Sequence, residues 1–158
     1  SVGVLAIDEG FNAVAQYEVD IHCSEETLSI ECDDFVKNMH KKSGLWQRCI
    51  ESNVHLSLAH NDILEFINHY KGDEKRVILV NNNPHFDISW LRQHMPLVAK
   101  LFHYRMIDVS TINEMAKVFN PQTANKVESN KTWQHTALND CYETLGELRL
   151  YIDEIFKK

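Results

Sequence analysis

Two short stretches carry the residues best suited to chemistry. The first is His103-Tyr104-Arg105-Met106-Ile107-Asp108-Val109-Ser110-Thr111; the second, His135-Thr136-Ala137-Leu138-Asn139-Asp140, sets a histidine five residues ahead of an aspartate. Upstream of both stands another acidic position, Asp87. A histidine titrates near neutral pH, so beside a carboxylate-bound cation it can take a proton from an attacking water. Carboxylates are hard oxygen ligands and select magnesium or manganese over zinc. A pair of such ions would activate the water and neutralise the departing oxygen of a phosphodiester. The pattern of Asp87, His135 and Asp140 suggests a metal-dependent nuclease site. It is also short of ligands, because two carboxylates leave two divalent cations poorly compensated.

Each of these residues also has a plainer role open to it. Asp87 follows the apolar run Val77–Val80, at the mouth of an α/β sheet, where ligand sites gather. An aspartate in the first turn of a helix equally complements the helix dipole, and Asp140 stands in the same situation. His135, between a polar stretch and a helix, has no packing reason to be there.

The elements that must position these groups are legible in outline. Val2–Ile7 is apolar and β-branched, Asp8–Asn12 supplies turn chemistry, and Ala13–His22 resumes an extended pattern, which predicts a hairpin. Apolar residues at spacings of three and four predict helices between Glu25 and Tyr70, broken at Ser43-Gly44. Arg76–Val80, closed by Asn81-Asn82-Asn83-Pro84, predicts a parallel strand covered on both faces. A helix is expected from Asp87 to about His94, a strand over Met106–Val109 and a helix through Ile112–Phe119. Pro121–Thr132 is polar and predicts a loop. The stripe Leu138, Cys141, Leu145, Leu148, Ile152 and Ile155 predicts a last amphipathic helix. The element order gives an α/β fold with a mixed sheet flanked by helices.

Composition narrows the function classes. The chain has 158 residues with 16 lysines and arginines against 23 acids, a net charge of −7. That size suits one domain with its own core. The charge argues against wrapping long nucleic acid, which needs many cationic phosphate contacts; a short anionic substrate fits better. No apolar run approaches the length needed to span a bilayer, so no membrane association is expected. Four scattered cysteines without a Cys-x-x-Cys pair imply reduced thiols and an intracellular compartment, cytoplasmic or mitochondrial.

His103–Thr111, with Ser43-Gly44-Leu45, the strand-end Asn82, Asp87 and His135-x-Ala137-x-x-Asp140, resembles the oligoribonuclease family, the small DEDDh 3'-5' exoribonucleases of RNase H-like three-layer fold. The likeness covers essentially the whole chain. It implies hydrolysis of very short RNA oligonucleotides to mononucleotides with two Mg2+ or Mn2+ ions, Asp87 and Asp140 as metal carboxylates and His135 as base. It further implies that Tyr104 reaches the substrate base bound by a neighbouring subunit, that Arg105 and Ser110 cap the 5' phosphate, and that Phe35 and His40 line the site. Shared contacts of this kind imply a homodimer. Where the family has Gly-Asn-Ser, this chain has Asn81-Asn82-Asn83, which leaves Asn83 to offer its amide to phosphate.

The family's first strand, bearing an Asp-x-Glu pair, has no counterpart in these residues. Asp8 and Glu9 are adjacent and would point to opposite faces of a strand. Glu18-x-Asp20 has the spacing in reversed order and falls on the hairpin's far strand. The expectation is a central strand upstream of Ser1, without which Val2–Ile7 and Val77–Val80 each present an unpaired apolar edge. The competing expectation is an inactive exonuclease-fold subunit that serves as a binding or assembly module in a larger complex.

Overall fold

A computed structural model describes residues 1–131 and 136–156. β1 (Val2–Ile7) and β2 (Ala13–Val19) form the expected antiparallel hairpin, with Gly3 opposite Glu18. Asp8 closes its turn, its Oδ1 accepting from the Asn12 backbone N–H at 2.7 Å, while Phe11 takes a left-handed φ of 59°. Four helices follow: α1 (Glu25–Glu31), α2 (Asp34–Lys42), α3 (Leu45–Glu51) and α4 (Leu56–Tyr70). Asp33 caps α2 through Val36 N, and Gly44, at φ 75°, makes the break before α3 that L side chains resist.

β3 (Val77–Asn81) pairs in parallel with β4 (Phe102–Asp108), the crossover being α5 (Pro84–His94) and α6 (Pro96–Ala99). Then come α7 (Val109–Phe119), α8 (Pro121–Ser129), α9 (Ala137–Tyr151) and a π-helical turn over Ile152–Phe156. Antiparallel and parallel pairing are both present, as a mixed sheet requires. Among the described residues they stay in two separate pairs, so β1 and β3 are each partnered on one edge only. Helix α9 packs on both β1 and β3, and the apolar cluster around α4 and α6 also draws on both pairs.

Two clusters make the core. Val19, Ala59, Ile63, Ile67, Met95 and Val98 join the hairpin to α4 and α6; Val109, Ala116, Ala124, Val127, Leu148 and Tyr151 join α7, α8 and α9. Ala59, Ile63 and Ile67 recur every four residues, which is what turns one face of α4 inward.

Several boundaries differ from the sequence expectation. Pro121–Thr132 is not a loop as far as Ser129: Pro121 suits a first helical position, the Asn120 side chain caps Thr123 N, and Thr123, Ala124 and Val127 are buried. The polar residues that suggest a loop lie on the exposed face of α8. Helix α5 starts three residues before Asp87, with Pro84 again at its first position. Strand β4 begins at Phe102 rather than Met106, and Val109 opens α7 because Asp108 caps that helix through Ser110 N. β3 is parallel but not covered on both faces, since Ile78 is 47% exposed; a two-stranded sheet leaves it without a covering layer.

Candidate active site

The carboxyl ends of β3 and β4 and the start of α9 bring the candidate residues together. Asp87 lies in the first turn of α5, and its Oδ2 accepts a 2.9 Å hydrogen bond from Asn81 Nδ2 at the end of β3. Burial pushes the Asp87 carboxyl above the usual carboxylate range, and the Asn81 bond offsets this only in part. No lysine, arginine or histidine among the described residues forms a salt bridge with it. It is a desolvated anion without a cation.

Asp140 sits exposed in the first turn of α9. Two features of the hairpin set where that turn lies. Gly3 lets the helix approach β1 so closely that a Cβ there would stand 2.6 Å from the Ala137 carbonyl carbon. Its cross-strand partner Glu18 then accepts from Leu138 N at 3.0 Å, capping a helix whose own N-cap residue, Thr136, makes no side-chain cap bond. This is a carboxylate answering the orphan donors of a helix start.

Cys141 reports the field between these groups. Burial, then the charges of Asp140, Asp87 and Glu18, push its thiol up to about 11. Three carboxylates thus act on one point, which raises the potential energy of any anion there and lowers that of a cation. Their hard oxygens suit magnesium or manganese. Yet among the described residues no group of three or more His, Cys, Asp or Glu side chains is arranged to hold an ion. The donor type and the charge fit a divalent metal, and the set is incomplete.

Of the expected phosphate-binding residues, Asn83 and Ser110 gather on Asp108. Its Oδ1 accepts from Asn83 N at 3.2 Å, Ser110 N at 3.0 Å and Ser110 Oγ at 2.5 Å, and its Oδ2 accepts from Thr111 Oγ1 at 2.9 Å. Burial works against ionisation of Asp108, but the bonds from Ser110, Thr111 and Asn83 prevail and hold the carboxyl below its usual range. Asn83 itself takes a left-handed φ of 53°, which puts its backbone N–H toward this brace and leaves the side chain exposed. The Ser110 hydroxyl proton is engaged by Asp108, which leaves the exposed Asn83 side chain as the donor next to this brace.

Tyr104 is 69% exposed on β4, with the Arg105 guanidinium 5.4 Å from its ring centre and the His103 ring at 4.3 Å. Phe35 and His40 lie on α2, which packs principally against α3, and Phe35 is 76% exposed. Neither α5 nor α9 is among the principal packing neighbours of α2. His135 lies outside the described residues. Asp8 and Asp20, weighed as sources of further carboxylates, have structural partners instead: Asp8 in the hairpin turn and Asp20 in a 2.8 Å ion pair with Arg48.

Residues that pattern alone did not single out complete the surroundings. Asn82 Nδ2 donates to the buried Thr144 Oγ1 on α9 at 3.1 Å, and Glu147, one turn further, is buried beside Lys131. Asp140, Thr144, Glu147 and Tyr151 recur at helical spacing, the one signal that could have found them. Among the described residues no helix is long and apolar enough to cross a membrane.

The exonuclease family pattern matches residues 1–148. A probable oligoribonuclease of Schizosaccharomyces pombe is 36% identical over 145 residues, 92% of this chain and 54% of that protein. Oligoribonucleases of Corynebacterium glutamicum and Pseudomonas syringae pv. syringae are 33% and 34% identical, covering 98% and 99% of this chain and 70% and 85% of theirs. The chain thus spans about half the length of the fission yeast relative and most of the bacterial ones. With strands, crossover and closing helix in the order of the RNase H-like α/β fold, the chain belongs to the oligoribonuclease family of exonucleases.

Proposed function

We propose that this protein is a 3'-5' exoribonuclease that hydrolyses very short RNA oligonucleotides to mononucleotides. The observation that carries the reading is the placement of Asp87 and Asp140 about Cys141, a concentration of negative charge without a countercharge at Asp87. Asp87 and Asp140 would hold Mg2+ or Mn2+, and the bound ions would activate water and stabilise the departing oxygen. His135 takes the proton of the attacking water as its oxygen bonds to phosphorus. The P–O3' bond then breaks, releasing a nucleoside 5'-monophosphate. Tyr104 offers an aromatic face to a base, and Arg105 and Asn83 meet the 5' phosphate, with Ser110 holding the brace.

The remaining carboxylates come, in this proposal, from an Asp-x-Glu strand lying between β1 and β3. Its support is that those two strands lack partners on one edge among the described residues, while α9 spans both. Residues 1–158 then form one exonuclease domain with that strand, and the exposed Tyr104 serves the partner's substrate in a homodimer.

The test is hydrolysis of a 5'-labelled dinucleotide by the full-length protein with Mg2+ or Mn2+. Turnover that His135→Ala abolishes is expected. A clean preparation with no turnover in either metal refutes the enzyme reading. That outcome favours the second one, an inactive exonuclease-fold module of a larger complex, whose support is the incomplete ligand set among the described residues.

A further inference from the structure

The amino ends of the parallel pair gather positive charge, away from the carboxylates. Arg76 stands one residue before β3, Arg92 lies in the last turn of α5, and Lys100 ends α6. All three line one cavity of about 200 Å³, together with His103 and Tyr104 of β4. The rest of its wall is apolar, chiefly Ile88 and Phe102, and holds no carboxylate.

In a chain of 16 lysines and arginines against 23 acids, three cations about one cavity without an acid need a reason. Among the described residues none of the three forms a salt bridge. A cation at the carboxyl end of a helix complements the dipole, which suits Arg92 and Lys100. That does not account for Arg76, which belongs to no helix, or for the convergence on one cavity. Like charges without counterions repel, so the arrangement favours the entry of an anion.

Strand β4 departs from regular pairing at the same place. Val77 pairs with Phe102 but Leu79 with Met106, so four steps of β4 face two of β3. Bulges of this kind re-aim side chains, and His103 and Tyr104 lie within it. His103 Nδ1 accepts from Arg105 N at 3.0 Å, which leaves Nε2–H as the ring's donor.

The size and chemistry of the cavity select the ligand. Its volume falls below the roughly 300 Å³ at which sites for drug-sized molecules begin, so it takes a small group. Two guanidinium forks and an ammonium suit an oxyanion with several acceptor oxygens. A phosphate monoester offers three such oxygens and about 1.5 to 2 negative charges at pH 7. A carboxylate offers fewer of both.

We propose that Arg76, Arg92 and Lys100, with His103 beside them, form a binding site for a phosphate dianion, either free or as the 5' phosphate of a mononucleotide whose base lies on Tyr104. The site is distinct from the Asp87–Asp140 face, since Val77–Asn81 alone spans roughly 13 Å and the acids lie past its far end. Binding there needs neither metal nor hydrolysis, so it stands or falls apart from the exoribonuclease reading.

The experiment is an NMR chemical-shift titration of the full-length protein in EDTA at low salt, with inorganic phosphate, uridine 5'-monophosphate and uridine. Expected are saturable shifts at the amides of residues 76, 92 and 100–104, weakened as sodium chloride is raised. Arg76→Gln and Arg92→Gln should each weaken phosphate binding about tenfold. Both arginines are exposed, so these variants should melt with the wild type. Lys117→Gln, which removes a cation on α7 outside the cavity, should change nothing. Tighter binding of the monophosphate than of phosphate, with the excess removed by Tyr104→Leu, identifies a nucleotide as occupant; equal affinity identifies phosphate itself. No saturable shift at these residues by about 10 mM phosphate, well above a millimolar Kd, overturns the proposal. So does binding that both arginine substitutions leave intact, or uridine binding as tightly as its monophosphate.

Discussion

Gly3→Ala is the substitution whose effect follows most directly from the coordinates. The new Cβ would stand 2.6 Å from the Ala137 carbonyl carbon, 2.7 Å from its oxygen and 2.7 Å from Leu138 N, all backbone atoms that no rotamer change can move. Carbon contacts settle near 3.5 Å or more, so the start of α9 must retreat by roughly 1 Å. Overpacking of this kind costs about 1–3 kcal/mol, which for a domain of this size lowers Tm by roughly 2–12 °C. The retreat also strains the Glu18 cap at 3.0 Å and the 3.4 Å contact from Cys141 Sγ to the Gly3 carbonyl oxygen. Asp140 follows three residues after Ala137, so it moves with the turn. A ligand displaced by about 1 Å is expected to lower kcat by about a hundredfold. The assay is dinucleotide hydrolysis beside thermal melting, with Gly146→Ala as control. Gly146 lies inside the same helix with nothing within 4 Å of its missing Cβ. There alanine should stabilise by about 0.8–1 kcal/mol and leave turnover alone. A Gly3→Ala variant with wild-type kcat and Tm would refute the reasoning.

Asp87→Asn should abolish turnover yet raise Tm at pH 8. The folded carboxyl is raised by burial, so its ionised form costs stability above the ordinary carboxylate range; the cost grows as pH rises through the folded value and vanishes at pH 3, where both states are protonated. Melting curves at the two pH values decide it, and an equal Tm at pH 8 counts against the desolvated-anion account. Cys141, with its thiol near 11, should be about one part in a thousand thiolate at pH 8 and alkylate slowly with iodoacetamide. Adding Mn2+ should quicken that labelling by offsetting Asp140 and Asp87; mass spectrometry of the α9 peptide with and without metal checks this. Tyr104→Ala, at a 69% exposed position, should leave Tm unchanged and lower kcat/KM by about 5- to 150-fold, the worth of about 1–3 kcal/mol of base stacking.

What can be read in the residues and what cannot divide along sequence separation. Asp87 and Asp140 announce themselves by type and by position at the starts of helices, a local pattern, and the hairpin and the α9 stripe follow from alternation and helical spacing. Glu18 caps a helix 120 residues away, and Asn82 bonds a threonine 62 residues away. Nothing beside either residue in the chain signals such a partner. The start of α8 is hidden differently: proline and asparagine at 120–121 suit a turn and a helix start equally, and burial of Val127 settles the choice. Resemblance alone places Phe35 and His40 at the site; they lie on α2, whose principal packing partner is α3.

The double attachment of α9 has a consequence for how the molecule is made. The hairpin and α4 leave the ribosome first, but the cluster they face is completed only by Met95 and Val98 of the crossover; the second cluster, of α7, α8 and α9, closes later. Helix α9, which packs on both strand pairs and completes that second cluster, is translated after both. Until it emerges, the second cluster lacks Leu148 and Tyr151, the faces of β1 and β3 that α9 covers stay open to solvent or to a chaperone, and Asp140 is not yet near Asp87. Assembly of the Asp87–Asp140 face therefore waits on α9, so a ribosome stalled before residue 137 carries a chain in which that face has not formed.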